Sequence, residues 1–199
     1  MELTDNWSEN IIIVDGDYVD SVAFDMTVNF ERMLNRRVHD ADMALWLECV
    51  ALDGGVRQGE NSVQVIFLHN SNTTQMKMFS PGEYGTDLAE KAFKGDLGEF
   101  TLSSFPAIEN IVKKDDFFLD VVKTAVNHKD VRRVMVVGNC DDGTLPARLR
   151  QVLRDVDDEK RITVFAMQPI PGGNYRTEIL GYSLLKALGI SASELSGIE

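Results

Sequence analysis

Cysteine is scarce in this chain of 199 residues, and long apolar runs are absent. The two cysteines, Cys49 and Cys140, are too few for a disulfide framework or a four-cysteine zinc site. No apolar run approaches the roughly 18 residues that a membrane-spanning helix needs. The N-terminus is polar and acidic, whereas a signal peptide has a basic start and then an apolar stretch. We therefore expect a cytoplasmic protein with reduced thiols and no membrane partner.

Basic residues are also few. Twenty lysines and arginines stand against 32 acidic residues, which gives a formal net charge of −12. Bulk electrostatics therefore oppose contact with nucleic acid, although a local basic patch is compatible with this net charge. Apolar residues make up 44% of the chain, so the low hydrophobicity that disorder requires is absent. The length suits one domain over 1–199, with a core over about 10–188.

Short β-branched runs alternate with longer stretches of helical spacing. The runs predict five strands, at 11–14, 63–68, 100–104, 134–137 and 162–166. The helical spacing predicts helices at 21–37, about 40–53, 86–94, 115–127, 144–156 and 175–188. This alternation is typical of a three-layer α/β/α, Rossmann-like domain with a mainly parallel sheet of about five strands. The segment over 69–84 fits a lid, an edge strand or a partner surface equally well.

Acidic and amide side chains follow two of these predicted strands. They are Asp15 and Asp17 after the first strand, and Asn139, Asp141 and Asp142 after the fourth. Sites in such sheets form where the strands have their carboxyl ends. A third group begins the helix at 115, where Asp116 and Asp120 are four residues apart and share one side.

Oxygen ligands of this kind suit Mg²⁺ or Mn²⁺, which can polarise a phosphoryl oxygen and activate water. The candidate metal ligands are Asp15, Asp17, Asp116, Asp120, Asn139, Asp141 and Asp142. Acids at helix N-termini also cap the helix and complement its dipole. The residues alone leave both interpretations open.

The order of elements resembles the PIN-like NYN nuclease family. The segment Ile11-Ile12-Ile13-Val14-Asp15-Gly16-Asp17-Tyr18 is similar to that family's first strand and Asp-Gly-x-Asn motif. The segment Lys113-Lys114-Asp115-Asp116 is similar to its Lys-Gly-x-Asp motif, without the glycine. The segment Val137-Gly138-Asn139-Cys140-Asp141 has the frame of its Ser-Gly-Asp-x-Asp motif, with Val137 at the serine and Asn139 at the first acid.

This resemblance implies hydrolysis of RNA phosphodiesters by a water activated on Mg²⁺ or Mn²⁺. The catalytic residues carried over are Asp15, Asp116 and Asp141, with Asp17, Asp120 and Asp142 as further candidates. RNA is then the expected partner. A non-catalytic relative that acts through protein contacts is a second interpretation, and the sequence leaves open a homodimer or another protein partner.

Asp15-Gly16-Asp17-Tyr18-Val19 also resembles the start of haloacid-dehalogenase-like phosphatases. That resemblance makes Asp15 the nucleophile and Asp17 the general acid/base, with Lys113, Lys114, Lys123 or Lys129 as the family's lysine. Three observations separate these functions. A nuclease brings Asp15, Asp116 and Asp141 together. A phosphatase places a lysine against Asp15. An interaction protein uses the acids as helix caps and exposes an apolar patch elsewhere.

Overall fold

The computed structural model describes residues 6–108 and 111–197. The elements in chain order are β1 (Asn10–Asp15), α1 (Gly16–Leu34), β2 (Ala41–Asp42), α2 (Met43–Asp53), β3 (Asn61–Asn70), β4 (Phe79–Ser80), β5 (Lys91–Gly95), β6 (Gly98–Ala107), α3 (Lys114–Asn127), β7 (Arg133–Val137), α4 (Leu145–Leu153), β8 (Arg161–Ala166), β9 (Arg176–Ile179), α5 (Leu180–Ala187) and α6 (Ala192–Ser196). Within these described ranges, no helix is both long and apolar enough to cross a membrane.

Seven strands form the main sheet, in the order β5-β6-β3-β1-β7-β8-β9. Every neighbouring pair is parallel except β5 and β6, which form an antiparallel hairpin. The short strands β2 and β4 pair separately. The sheet is therefore mainly parallel, with one antiparallel strand at its edge.

Helices cover both faces of the sheet. In β1, Ile12 and Val14 belong to the core under α1, α2 and α5, while Ile11 and Ile13 belong to the core under α3 and α4. All six residues of β1 are buried, as a strand between two helical layers requires. The predicted three-layer α/β/α class is confirmed, and the sheet has more strands than predicted.

Two segments predicted as helix contain the additional sheet strands. The helix predicted over 86–94 is wrong: β5 lies at the end of that segment, and its Phe93 stacks on Phe100 of β6 with ring centroids 4.8 Å apart. The helix predicted over 175–188 begins only at Leu180, because Arg176–Ile179 pairs with β8. Both strands are short, so pairing with a neighbour outweighs their own helical spacing.

The first helix starts earlier than its apolar spacing predicts. The carboxylate of Asp15 accepts a hydrogen bond from the Tyr18 backbone N–H at 3.1 Å, so the last residue of β1 is also the N-cap of α1. At the other end of the chain, Ser191 and Glu194 form a capping box that begins α6, beyond the end of the core predicted at about 188.

The strand order places a crevice beside β1. The chain moves from β1 to β3 on one side, and later returns through α3 to β7 on the other side. The α1 helix follows β1 on one face, and α3 lies on the opposite face. Parallel α/β sheets bind ligands at such a switch point, outside the carboxyl ends of the strands. The residues after β1 and β7 lie at this position.

Candidate functional site

A cleft of about 310 Å³ opens at the carboxyl ends of β1 and β7. The first turn of α1, the first turn of α3 and the loop after β7 form its walls. Its charged and amide lining residues are Asp15, Asp17, Lys114, Asp115, Asn139 and Asp142. Four carboxylates against one ammonium group leave the cleft with three negative charges in excess. The cleft is therefore an acidic site at the predicted edge of the sheet.

Lys114 is the one basic residue among those that line this cleft. Its Nζ lies 2.9 Å from Asp15 Oδ1 and 3.2 Å from Asp17 Oδ2. The Asp15 side chain is only 4% exposed, and that of Lys114 is 18% exposed. A lysine at the first position of a helix can reach back past the helix start, because helical side chains tilt toward the N-terminus. The ammonium group thereby forms ion pairs with two acids that α1 and β1 hold side by side.

The pKa values of this pair follow from burial and from mutual attraction. Burial raises the pKa of Asp15, against the attraction of Lys114 and its hydrogen bond. Burial alone would lower the pKa of Lys114, but the adjacent Asp15 and Asp17 carboxylates raise it above its ordinary value of 10.5. Lys114 is therefore a fixed cation throughout the physiological pH range.

Asp17 ties the segment after β3 to α1. Its Oδ2 accepts a hydrogen bond from the Asn70 backbone N–H at 2.7 Å, and its Oδ1 accepts one from the Thr73 hydroxyl at 2.8 Å. One turn later on α1, Asp20 accepts a hydrogen bond from the Met78 backbone N–H at 2.7 Å. The segment over 69–84 is thus anchored to α1, and its β4 residues pair with β2.

A stacked aromatic pair adds to this anchor. The ring of His69 lies parallel to that of Tyr84, with centroids 3.8 Å apart. Burial lowers the pKa of His69, so its imidazole is neutral at pH 7. The Tyr84 hydroxyl is buried next to Gly16, and it has no hydrogen-bond partner among the residues that the structure describes. The stack therefore packs against the start of α1 without entering the cleft.

Asp141 lies behind the cleft wall. Its carboxylate accepts a hydrogen bond from the Tyr18 hydroxyl and another from the Met167 backbone N–H at 2.9 Å. Burial and then the bond to Asp141 raise the pKa of Tyr18 well above its ordinary value. Asp141 therefore connects α1 to the end of β8. Asn139 and Asp142, which do line the cleft, are joined by a hydrogen bond of 2.8 Å.

Asp116 and Asp120 lie outside the cleft. They share one side of α3, as their spacing predicts, but that side forms a groove against α4. There Arg148 pairs with Asp116. The three residues carried over as catalytic, Asp15, Asp116 and Asp141, are thus not brought together.

Several of the predicted metal ligands are engaged in hydrogen bonds and ion pairs within the protein. Among residues 6–108 and 111–197, no group of three or more His, Cys, Asp or Glu side chains is placed to hold a metal ion. The oxygens of Asp17 and Asp141 accept protein hydrogen bonds, and Asp15 is paired with Lys114. A cation bound at Asp15 would lie next to the Lys114 ammonium group, which repels it.

Sequence reasoning identified the position of the cleft but missed part of its lining. Asp115 rather than Asp116 faces it, and Ser21 of α1 also contributes. Successive helical residues are 100° apart, so the side of α3 that faces the cleft depends on where the helix starts. Lys114 was one of four candidate lysines, and its position at the first residue of α3 distinguishes it from Lys123 and Lys129.

The comparison with protein families covers nearly the whole chain. Residues 4–195 match the model of a family of unknown function, DUF6621. The chain belongs to DUF6621. No curated protein and no solved structure matches it. Membership of DUF6621 assigns no reaction to this chain.

Proposed function

We propose that this DUF6621 protein is a PIN-like domain that acts by binding a partner protein, and that Lys114 stands where a catalytic relative would hold a divalent cation. The observation that carries the proposal is the Lys114 ammonium group, 2.9 Å from Asp15 and 3.2 Å from Asp17. A buried ion pair of this kind is costly to break from one side, by roughly 3–5 kcal/mol. Entry of Mg²⁺ would have to offset that loss.

The other acids support the same interpretation. Asp15 caps α1, Asp141 joins α1 to β8, and Asp116 pairs with Arg148. Each has a structural partner, which is the arrangement expected when the acids stabilise helix and strand ends. The convergence expected of a nuclease is not present among these three residues.

An apolar strip on α1 continues from the cleft. Phe24 and Val28 are 55% and 48% exposed, and they follow the cleft-lining Ser21 at spacings of three and seven residues. Positions at these spacings share one side of a helix. The strip and the acidic cleft together complement a partner segment that carries basic and apolar side chains. We therefore expect the partner to be a basic amphipathic segment of another protein.

Titration with Mn²⁺ tests the role of Lys114. Calorimetry on the wild type should show no saturable binding, whereas Lys114→Met should bind Mn²⁺ weakly because it frees the carboxylates of Asp15 and Asp17. Lys113→Met is the matched control, because Lys113 is the exposed neighbour whose side chain caps nothing. Saturable Mn²⁺ binding by the wild type that Asp15→Asn abolishes would contradict the proposal.

Defined peptides test the partner class. A panel of basic amphipathic peptides should bind the wild type, and Phe24→Ser or Asp142→Asn should weaken that binding by about tenfold. Tyr182→Ser removes an even more exposed aromatic side chain from α5 and should change nothing. Equal loss in Tyr182→Ser, or no binding by any basic peptide, would contradict the assigned surface.

Phosphate-ester hydrolysis is the second candidate, and the contact between Lys114 and Asp15 favours it. In that reaction the Asp15 carboxylate attacks phosphorus, the ester P–O bond breaks, and the departing oxygen takes a proton from Asp17. Water then hydrolyses the aspartyl phosphate. Incubation with p-nitrophenyl phosphate distinguishes the two functions. Turnover that disappears in both Asp15→Asn and Lys114→Met would establish the hydrolase and overturn the binding proposal.

A further inference from the structure

A cluster of basic residues lies at the opposite end of the parallel strands from the acidic cleft. A cavity of about 530 Å³ opens at the amino ends of β7, β8 and β9. Five cationic side chains line it, namely Arg57, Arg133, Lys160, Arg161 and Arg176, against the single carboxylate of Asp158. Among the lining residues, positive charges exceed negative charges by four, and one of the arginines, Arg176, also pairs with Glu178 outside the lining at 2.9 Å. The protein as a whole has a net charge of −12.

Strand register brings three of the arginines together. Arg133 of β7 pairs with Arg161 of β8, and Arg176 of β9 pairs with Thr163, two residues after Arg161. Register partners in parallel strands point to the same face of a sheet, and residues two apart along a strand do so as well. The three guanidinium groups therefore emerge on one face, where α2 ends.

The turn after α2 closes the cavity against these arginines. Gly55 has a φ of +95°, and a Cβ atom at this position would lie 3.5 Å from Arg133 Nε and 3.9 Å from Arg176 Nη1. Two guanidinium groups thus approach one point on the backbone. Glycine leaves the space between them open.

The guanidinium group of Arg133 is only partly hydrogen-bonded among the residues that the structure describes. Its Nη1 donates to Asn10 Oδ1 at 2.9 Å, but its buried Nε has no acceptor among the residues that the structure describes. Burial lowers the pKa of Arg133; the carboxylate of Glu9 opposes this shift, and the nearby Arg57, Arg161 and Arg176 add to it. An unpaired buried donor and clustered like charges both cost free energy, and both costs fall when an anion binds.

We propose that this cavity binds a small ligand that carries two or more linked phosphate groups. Planar guanidinium groups bind phosphate oxygens through pairs of parallel hydrogen bonds, and several of them suit a diphosphate better than a single phosphate. The cavity volume lies within the usual range for small-molecule sites. The site is concave and isolated on an acidic molecule, which favours a compact ligand over a nucleic-acid strand.

Two sources could supply this chemistry, an inorganic diphosphate and a nucleoside diphosphate. Tyr175 is among the residues that line the same cavity, and an aromatic ring is a stacking surface for a base. Calorimetry with pyrophosphate, ADP, orthophosphate and adenosine separates these sources. We expect saturable binding of pyrophosphate or ADP at low ionic strength, with orthophosphate at least tenfold weaker and adenosine not binding. Tighter binding of ADP than of pyrophosphate assigns the nucleoside source, and equal binding assigns the inorganic one.

Arginine variants locate the binding. Arg161→Gln and Arg176→Gln replace exposed residues at the starts of their strands, and each should weaken pyrophosphate binding at least tenfold. Arg32→Gln removes the same charge from the exposed face of α1 and should leave binding unchanged. Circular dichroism confirms that each variant is folded.

Three outcomes would overturn the assignment. The first is that the folded wild type shows no saturable binding of pyrophosphate or ADP. The second is that Arg32→Gln loses as much binding as the cavity variants. The third is that a single-stranded RNA binds more tightly than either ligand, and that Arg161→Gln and Arg176→Gln abolish this RNA binding. The last outcome would reassign the surface to nucleic acid. Because the cavity shares no residue with the acidic cleft, these results are independent of the proposed function of that cleft.

Discussion

Lys114 is held in place by charge and by helix geometry together. As the first residue of α3 it projects toward the end of β1, where Asp15 and Asp17 supply two carboxylates within 3.2 Å of its Nζ. A hydrated divalent cation needs the same carboxylates and brings twice the charge. The ammonium group has the advantage that it is part of the chain, so no translational entropy is lost when it occupies the site.

The stabilisation from Lys114 should disappear at alkaline pH. Its pKa is raised in the folded protein, so its contribution to stability is complete below the ordinary value of 10.5 and is lost as the pH rises through the folded value. We expect Lys114→Met to lower the free energy of unfolding by roughly 3 kcal/mol at pH 8. The difference between wild type and variant should shrink above about pH 10.5.

Urea denaturation at a series of pH values measures that difference. Lys113→Met supplies the control, because it removes the neighbouring lysine from an exposed position. A gap that stays constant through pH 11 would mean that Lys114 acts through the packing of its methylene groups and not through its charge.

Cys140 should be an unreactive thiol despite its place beside the site. It is 3% exposed, and burial together with the neighbouring Asp141 raises its pKa to about 12. At pH 8 about one molecule in ten thousand then carries the thiolate, compared with about one in four for a free cysteine. Iodoacetamide should label Cys140 only as fast as the protein unfolds, and labelling of the native protein within minutes would contradict this burial.

At the level of elements, the start of α1 and the segment after β3 depend on one close contact. A Cβ atom on Gly16 would lie 2.1 Å from the Tyr84 hydroxyl oxygen and about 3 Å from the ring carbons behind it. Glycine is required at position 16 because of this approach, and not because of a left-handed backbone. The same hydroxyl is buried without a partner in the part of the chain that the structure describes.

Gly16→Ala and Tyr84→Phe should therefore be coupled. We expect Gly16→Ala to destabilise the protein by about 1–3 kcal/mol through overpacking. Tyr84→Phe should be neutral or stabilise the protein by about 1 kcal/mol, because it removes an unsatisfied hydroxyl. In the Tyr84→Phe background the alanine should cost about 1 kcal/mol less.

A double-mutant cycle of thermal or urea unfolding measures this coupling. Additive effects would show that the Gly16 contact is not with the Tyr84 hydroxyl. The conservative change Tyr84→Phe keeps the ring that stacks on His69. The measured coupling energy therefore contains no contribution from a lost stacking contact.

The elements that sequence patterns predicted well are those buried on both faces. β1, β3 and β7 each contain four consecutive apolar residues and β8 contains three, so each strand is recognisable without knowledge of its neighbours. By contrast, β5 and β9 lie at the two edges of the sheet and contain only five and four residues. Their strand conformation depends on pairing with a neighbouring strand. The helical periodicity of the same residues gives no indication of that pairing.

The same distinction applies to the cleft. Strand ends and helix starts predicted its position, because the rule for parallel sheets depends only on the order of elements. The choice between Asp115 and Asp116, and the bridge from Lys114, depend on the exact start and rotation of α3. Patterns in the sequence locate such boundaries only to within a few residues.

At the scale of the whole molecule, the two ends of the parallel strands carry opposite charge. The carboxyl ends of β1 and β7 hold the acidic cleft, and the amino ends of β7, β8 and β9 hold the cationic cavity. Both arrangements come from one topology, because the first residues of parallel strands lie together on one side of the sheet and their last residues lie together on the opposite side. A net charge of −12 says little about either site taken alone.

The excess of acid should nevertheless govern how stability responds to salt. Repulsion among 32 acidic side chains opposes folding at low ionic strength, and it is screened when the Debye length falls from about 21 Å at 0.02 M to about 7 Å at 0.2 M salt. We expect the melting temperature to rise over this range of NaCl. The buried Lys114 pair is screened much less than exposed charges, so it should not reverse the trend.

Two charge variants separate general repulsion from local ion pairing. Asp25→Asn removes an exposed acid from α1 and should flatten the salt dependence, while Lys129→Gln removes an exposed base and should steepen it. Differential scanning calorimetry at fixed pH in chloride salts provides the melting temperatures. Chloride is preferred to phosphate, because binding at the cationic cavity would add its own stabilisation. A melting temperature that falls with added NaCl would mean that local ion pairs outweigh the net charge of the molecule.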